Sequence, residues 1–459
     1  MRAERLITEY FDKWTGAITY GGGKSRNNNG EPELTGIDKL RELILELAVS
    51  GKLAYQDPND EPASELVRAL ADEKARLYNE GRIRRPKEYP EIGASESPFV
   101  LPESWEWVRL GDVGQIVGGG TPKSGEPAYW CAEGVTWLTP ADLYGYPYKY
   151  ISEGRRDISE KGLHESSATL VPTGTVLFSS RAPIGYVAIA GRPLATNQGF
   201  KSCVPYVDGM AEHLYYFLKR SAKEIDAKAS GTTFKEISGS KMALVPVALP
   251  PLGEQTRIVE RIDELMALCD RLEQKTSDQI SAHETLVDTL LDTLTRSQDA
   301  DELAVNWARM AAHFDTLFTT EHSIDRLEQT VLKLAVIGRL VPQIAEEEPA
   351  SDLLDRIVAE KRRRGVRQTG MQGAESNEES ARLPDGWLVQ PLGEVVINRD
   401  AERIPVSVEE RKNRKGEYDY YGASGVTKPK LSRASYGGVP ALGMTEERHD
   451  LRRHLLQGS

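Results

Sequence analysis

LPPLGEQTRIVERIDELMALCDRLEQKTSDQISAHETLVDTLLDTLTRS, running from Leu249 to Ser297, turns an apolar strand into one long helix. Pro250 and Pro251 end the strand, and Glu254 falls in the first turn, where the positive end of the helix dipole favours an acid. No Gly or Pro then interrupts the run until well past Arg296. At about 1.5 Å per residue such a helix is roughly 65 Å long, more than a compact domain needs. Steps of four and three from Ile258 give Ile258, Ile262, Leu265, Cys269 and Leu272, then Thr276, Gln279 and His283, then Leu286, Leu290 and Thr293. This is a heptad seam with a polar middle. An apolar repeat of that spacing calls for a partner helix, and its polar positions fix register at a cost in stability. A long helix lying on an ordinary core is the plainer alternative.

Working outward, the flanking segments prove to be copies of one another. IDKLRELILELAVSGKL from Ile37 aligns without a gap to IDRLEQTVLKLAVIGRL from Ile324, with nine identities in seventeen. EPASELVRALADEKAR from Glu61 matches EPASDLLDRIVAEKRR from Glu348 at the same offset, and LPESWEWVRLGDV at Leu101 is echoed by LPDGWLVQPLGEV at Leu383. The chain is a tandem duplication with a period far too long for a solenoid, so each unit is a helical arm followed by a globular domain. Six segments result: an extension at 1–36, a first arm at 37–98, a first domain at 99–251, the long helix at 252–298, a second arm at 299–370, and a shortened second domain at 371–459. The last is about half the length of the first and carries no closing LPPLxEQ element, so the expectation is a degenerate or truncated copy. Apolar positions Leu40, Ile44 and Leu47, and their copies Leu327, Val331 and Leu334, must bury their faces against the long helix or a partner.

The first domain alternates short β-rich runs (GVTWLTP, GTVLFSS, GYVAIA, ALVPVALP) with Gly, Pro and Ser turns and one helical stretch near Ala211 to Ala229, a mixed α/β pattern. Its loops VGGGTPKSGEP, SSRAPIGY, TNQGFK and SGTTFKEIS offer backbone amides, hydroxyls and single Lys or Arg side chains. Tyr144, Tyr146, Tyr148 and Tyr150 crowd one segment with Lys149, Arg155 and Arg156. Each feature also suits an ordinary half-buried surface.

Composition excludes several classes. With 459 residues, 28% charged and 39% hydrophobic, the chain is of globular type and long enough for about three domains. The longest apolar run, Met242 to Leu252, is too short and Pro-broken to span a bilayer, and the N-terminus lacks an apolar core for a leader. Three scattered cysteines, Cys131, Cys203 and Cys269, suit a reducing cytoplasm and make neither a disulfide framework nor a CxxC metal site. The net charge of −12 opposes nucleic-acid binding by the chain as a whole, but it is uneven. Gly253 to Ala300 holds 5 basic and 11 acidic residues, whereas Leu101 to Pro250 holds 15 of each, so the acidic excess belongs to the helices.

Catalytic apparatus is absent from the pattern. GGGKS at Gly21 lacks the earlier Gly and the strand of a phosphate loop, His283-Glu284 has Val287 where HExxH needs its second His, and no amino-methyltransferase or dinucleotide motif occurs. Asp385 with Glu410 and Lys412 has loose nuclease spacing, but Pro384-Asp385 simply echoes Pro102-Glu103.

ELAVSGKL with PNDEPASEL, then GGGTPK, SSRAPIGYVAIA and TNQGFKS, then LPPLGEQTRIVERIDELMALCDRLE, closely resembles the specificity subunit of type I restriction-modification systems over nearly all of residues 35–370. The resemblance implies α/β (α+β) target-recognition domains held apart by long helices that form an antiparallel coiled coil, each domain reading half of a split double-stranded DNA sequence. It implies no catalysis in this chain and no metal or cofactor of its own. Two methyltransferase copies carrying S-adenosylmethionine, and ATP- and Mg2+-dependent restriction/translocase subunits, are the partners it implies, in the cytoplasm and without a membrane. Motifs shared by members with different targets should be scaffold and phosphate contacts, with the base readers between them. The candidates are therefore Thr121, Lys123, Ser124, Tyr144, Tyr146, Lys149, Arg155 and Arg156, with Arg181 and Lys235 at phosphates. The Leu40, Ile44, Leu47 and Leu327, Val331, Leu334 seams are the candidate methyltransferase docking faces. A stand-alone DNA-modifying enzyme and a coiled-coil scaffold that never touches DNA are the rival readings.

Overall fold

The first repeat opens, in the computed structural model, with α1 (Thr35–Val49) and α2 (Ala63–Asn79). The structure describes residues 10–20, 32–181, 183–229, 235–341, 343–344, 346–365, 383–397, 409, 413, 415–422 and 425–431. GGGKS, Glu410, Lys412 and most of residues 371–459 lie outside these. Gly51 ends α1 at φ +69°, and a Cβ there would stand 2.5 Å from Pro102 Cγ, so both backbone and neighbour demand glycine.

The first domain is built on β1 (Glu106–Arg109), β2 (Gly114–Gly118), β3 (Trp130–Cys131), β4 (Val135–Leu138), β5 (Tyr150–Ile151), β6 (Arg156–Ile158), β7 (Leu170–Val171), β8 (Val176–Ser180), β9 (Ile184–Ala190), β10 (Leu194–Thr196), β11 (Lys201–Pro205) and β12 (Pro246–Leu249). One five-stranded sheet has the order β2-β11-β8-β9-β5, the other β3-β6-β4-β10-β7, and β12 pairs with β1. Most pairings are antiparallel, but β9 with β5 and β4 with β10 are parallel, which makes both larger sheets mixed. α3 (Ala211–Ala227) packs its face of Leu214, Phe217, Leu218 and Ile225 into a core shared with α1 and α2, and Arg220 and Lys223 reach Glu46 and Glu42 of α1.

α4 spans Leu252–Arg296, as the sequence predicts. Ile258, Ile262, Leu265, Cys269 and Leu272 enter the same core as Leu40 and Ile44. Each aliphatic side chain so buried stabilises by about 1.5–3 kcal/mol. Arg41 of α1 pairs with Asp270 at 2.8 Å and with Glu273, while Arg257 donates to the carbonyl of Tyr55. Later positions of the arm thus meet earlier positions of α4, and the two helices run antiparallel.

The seam departs from the heptad expectation beyond Thr276. Ile280 and His283 are half-buried, Val287, Leu291 and Leu294 are buried, whereas Gln279, Leu286 and Thr293 face outward and Leu290 is half-buried. The ten intervals from Ile258 to Leu294 cover 36 residues, 3.6 each. An unsupercoiled helix drifts by roughly 20° per heptad against a 3.5 repeat, and the short helices that cover α4 do not hold it to the tighter repeat.

Two compact units divide within α4, Met1–Leu286 and Val287–Ser459. In the second, α5 (Ala300–Ala311), α6 (Glu321–Val336) and the segment between them bury Met310, Leu317, Phe318 and Leu334 against Val287, Leu291 and Leu294, and α7 (Ala350–Arg363) follows. Arg326 pairs with Asp288 at 2.7 Å and Arg339 donates to the carbonyl of Ser297, so α6 runs parallel to this part of α4. The duplicate repeats local detail: Gly338 takes φ +72° beneath Pro384 as Gly51 does beneath Pro102. Lys361 donates to the carbonyls of Gly393 and Glu394 where its counterpart Lys74 pairs with Asp112. One difference is instructive. Trp105 is 4% exposed and donates to Glu254 in the first turn of α4, whereas Trp387 is 41% exposed and donates to Gln343 of its own arm. Ile37, Leu45 and Val49 are buried, while their copies Ile324, Leu332 and Val336 are exposed, because among the described residues nothing equivalent to α3 covers the second arm. A final antiparallel hairpin joins Lys415–Gly422 to Gly425–Leu431.

Candidate nucleic-acid interface

The loop after β2 begins with two glycines, Gly119 and Gly120, for a steric reason. A Cβ on Gly119 would lie 2.2 Å from the carbonyls of Thr196 and Asn197, and one on Gly120 would lie 2.3 Å from Ser167, so only bare backbone fits. Trp137 donates to the carbonyl of Gly120 at 2.9 Å, and Trp130 to that of Lys123 at 3.2 Å. The two indoles meet edge to face at 5.2 Å, and the Arg156 guanidinium stacks on Trp130 at 3.8 Å. Exposed Lys123, Ser124 and Arg156 are thus set on one aromatic brace. Rigid support of this kind reduces the ordering cost of a later contact.

Thr121, at the next position, hydrogen-bonds Gln198 of the TNQGFK turn. That turn leads to Lys201, which reaches Glu236 at 3.2 Å, and the backbone of Glu236 bridges to Arg181. The GGGTPK, RAPIGY, NQGF and KEIS segments are therefore brought together as one scaffold. Lys235 sits beside them, exposed and 3.4 Å from Asp226. Arg155 lies next to Arg156 but turns the other way, its guanidinium against the Ala141 carbonyl and 3.7 Å from Asp142, and the Tyr144 ring is exposed.

Two of the expected assignments need correction. Lys149 is only 17% exposed, and its ammonium lies 3.0 Å from Glu212 and 2.8 Å from Asp263, over the ring of Tyr216. Tyr216 also bonds Asp263, and burial, with its own bond to Glu212, pushes the Tyr150 hydroxyl up to about 12. Lys149 ties the domain to α3 and α4, its one positive charge already answered by two carboxylates, rather than presenting a free ammonium to a base edge. Tyr146 is half-buried and donates to the carbonyl of Tyr150, propping its own loop. The second correction concerns the arms: Leu40 and Ile44 are fully buried in the intramolecular core and offer no docking face, Leu47, Leu327 and Val331 are half-buried, and Leu334 is buried against α4. Trp130, the brace under Arg156, was missed by sequence reasoning, and its only cue was its place between the Gly-rich loop and the Arg pair.

Among the described residues no group of three or more His, Cys, Asp or Glu could hold a metal ion, and no helix is long and apolar enough to cross a membrane.

A sequence model of the family described as "Type I restriction modification DNA specificity domain" matches residues 102–282. The chain is 38% identical over 413 residues to the type I restriction enzyme EcoAI specificity subunit of Escherichia coli, which covers 86% of this chain and 68% of that one. It is 37% identical over 421 residues to the EcoEI specificity subunit of Escherichia coli, covering 88% and 69%. Against a crystal structure of an HsdS subunit from Thermoanaerobacter tengcongensis the TM-score is 0.33 at 20% identity, over 60% of this chain and 63% of that one.

Proposed function

Because this chain belongs to the family of type I restriction enzyme specificity subunits, we propose that its first domain reads one half of a split duplex DNA target. The observation that carries this reading is the Lys123–Ser124 tip and the Arg156 guanidinium held on the Trp130–Trp137 brace. An Arg fork suits bidentate contact with guanine in the major groove, and a Lys and a hydroxyl suit the neighbouring base edge or phosphate. Thr121, Arg181 and Lys235, on the shared scaffold, are assigned to phosphate contact and loop positioning. Tyr144 and Arg155 form a second exposed element beside it.

The chain itself is given no catalytic step. Base modification is assigned to methyltransferase subunits, two of them, which bring S-adenosylmethionine, and cleavage to ATP- and Mg2+-dependent translocase subunits. The helical arms are the docking region for the methyltransferase, through outward residues and not through buried Leu40 or Ile44. The test is to sequence methylated adenines in cells that carry the chain together with its cognate methyltransferase. A single split motif that changes when Arg156 and Lys123 are substituted supports the reading. Unchanged methylation in cells lacking the chain would overturn it.

A further inference from the structure

The segment between α2 and β1, Gly81-Arg-Ile-Arg-Arg-Pro-Lys-Glu-Tyr-Pro90, is a basic strap that lies outside every loop assigned above. Arg84, Arg85 and Lys87 are exposed, and among the described residues none of them has a carboxylate partner, while Arg82 lies 3.8 Å from Glu80. In a chain of net charge −12 this is an unusual concentration of unanswered cations.

The strap is also fixed in place. Gly81 takes φ +70° and lets Arg82 close on the Leu77 carbonyl, which ends α2 at the strap. The Tyr89 ring covers Gly111 so closely that a Cβ there would come within 2.5 Å of it. Beyond it, buried Arg109 donates to the carbonyls of Pro90 and Glu91, each at 3.0 Å, to that of Leu244 at 2.7 Å, and to both oxygens of Glu96. Cations held this way lose little freedom when they bind, in contrast to those on a loose tail.

A cleft of about 670 Å3 lies between the strap and the start of β2, with Ile116 and Gly239 on its wall. A Cβ on Gly239 would stand 3.9 Å from both Ile116 and Lys201, Lys201 reaches the Gln198 carbonyl, and Gln198 holds Thr121. The same surface thus continues from the strap to the Lys123 loop. β2, which lines the cleft at Gly114, Gln115 and Ile116, leads along the chain into that loop.

We propose that Arg84, Arg85 and Lys87 form a phosphate-binding strap for duplex DNA, gripping the backbone to one side of the bases read by the Lys123 loop. The inference rests on the proposed DNA-reading role. The strap reads no sequence; it adds affinity and salt dependence to whatever site the loops select. Guanidinium forks match phosphate oxygens, and each phosphate neutralised releases counterions.

The test uses the full chain with its methyltransferase, with Arg84→Ala, Arg85→Ala and Lys87→Ala combined, and binding measured by fluorescence anisotropy on duplexes with and without the methylated motif. Three lost phosphate contacts should flatten the slope of log affinity against log salt by about 2.7. Between 50 and 200 mM salt, the unsubstituted complex should then lose roughly 40-fold more affinity than the variant. The loss should be alike on both duplexes, the methylated sequence should stay the same, and Arg84→Lys with Arg85→Lys should retain the slope. The variant's melting temperature serves as the folding control, since the three side chains are exposed. An unchanged slope with intact specific binding overturns the strap alone, as does loss of methyltransferase capture without a change in slope. Absence of salt-dependent DNA binding by the unsubstituted complex overturns the DNA-reading role and the strap together.

Discussion

Replacing Lys149 with Met separates a structural lysine from a DNA contact. Its ammonium sits between Glu212 and Asp263 at 3.0 and 2.8 Å, with its side chain 17% exposed and the two carboxylate side chains 33% and 45% exposed. Exposed pairs contribute roughly 0–1 kcal/mol, and removing one member of a fully buried pair costs about 3–5 kcal/mol. With partners this open to water, the cost here should be about 1–2 kcal/mol. Met keeps the aliphatic stem against Tyr216, so what is lost is the charge. The expected result is a urea midpoint lowered to match, a melting temperature down by a few degrees, and no change in the salt slope of DNA binding. A phosphate-contacting lysine would do the reverse, flattening the slope by about 0.9 with the fold intact. Finding that second pattern would refute the assignment of Lys149 to the α3–α4 tie.

Burial holds the His213 imidazole down to about 4, so the unfolded chain takes up a proton near pH 6.5 that the folded chain refuses. The stability this histidine contributes is complete above that pH and is lost as pH falls from 6.5 toward 4, on the order of 3 kcal/mol in all; urea midpoints at pH 7.5 and 5 should diverge, and His213→Phe should narrow the gap. Glu254 is shifted the opposite way, its carboxyl raised by burial and its Oε1 without a partner, so its ionisation weakens the fold as pH rises. Glu254→Gln keeps an acceptor for Trp105 and should raise the midpoint at pH 7.5; a fall of more than about 1 kcal/mol would contradict the burial argument. Arg156→Ala should cost about 1–3 kcal/mol of specific DNA binding and relax one position of the methylated motif, which sequencing of modified adenines would reveal.

Much of the architecture was legible in the sequence where the signal was local. The α4 limits followed from Pro250, Pro251 and an unbroken run, and the arms from their own duplication. The second half of the α4 seam was not legible, because a heptad count carried across Thr276, Gln279 and His283 accumulates a drift that only the packed partners resolve, and so Leu286 was taken where Val287 is buried. The pairing of Lys149 is hidden from the sequence for a related reason. Its acidic partners lie 63 and 114 residues away, beyond any pattern within the Tyr-rich segment. The Gly119–Gly120 approach to Thr196, and the parallel pairing of β4 with β10, are likewise set by long-range register. Duplication also hid a difference: identical residues such as Val49 and Val336 have opposite surroundings, since burial is a property of what lies opposite and not of the residue.

Between Leu272 and Val287 the long helix buries only Thr276. Apart from half-buried Ile280 and His283 this waist gains little from packing, and a helix of that length standing alone is marginal in water. It persists because each turn extends one already nucleated in a core at either end. Its amides, Asp278 and Gln279 among them, should therefore exchange with deuterated solvent through local openings that leave both cores closed, while Ile262 and Leu291 wait for cooperative unfolding of their own halves. One continuous helix is thus shared between two foldons that can open independently.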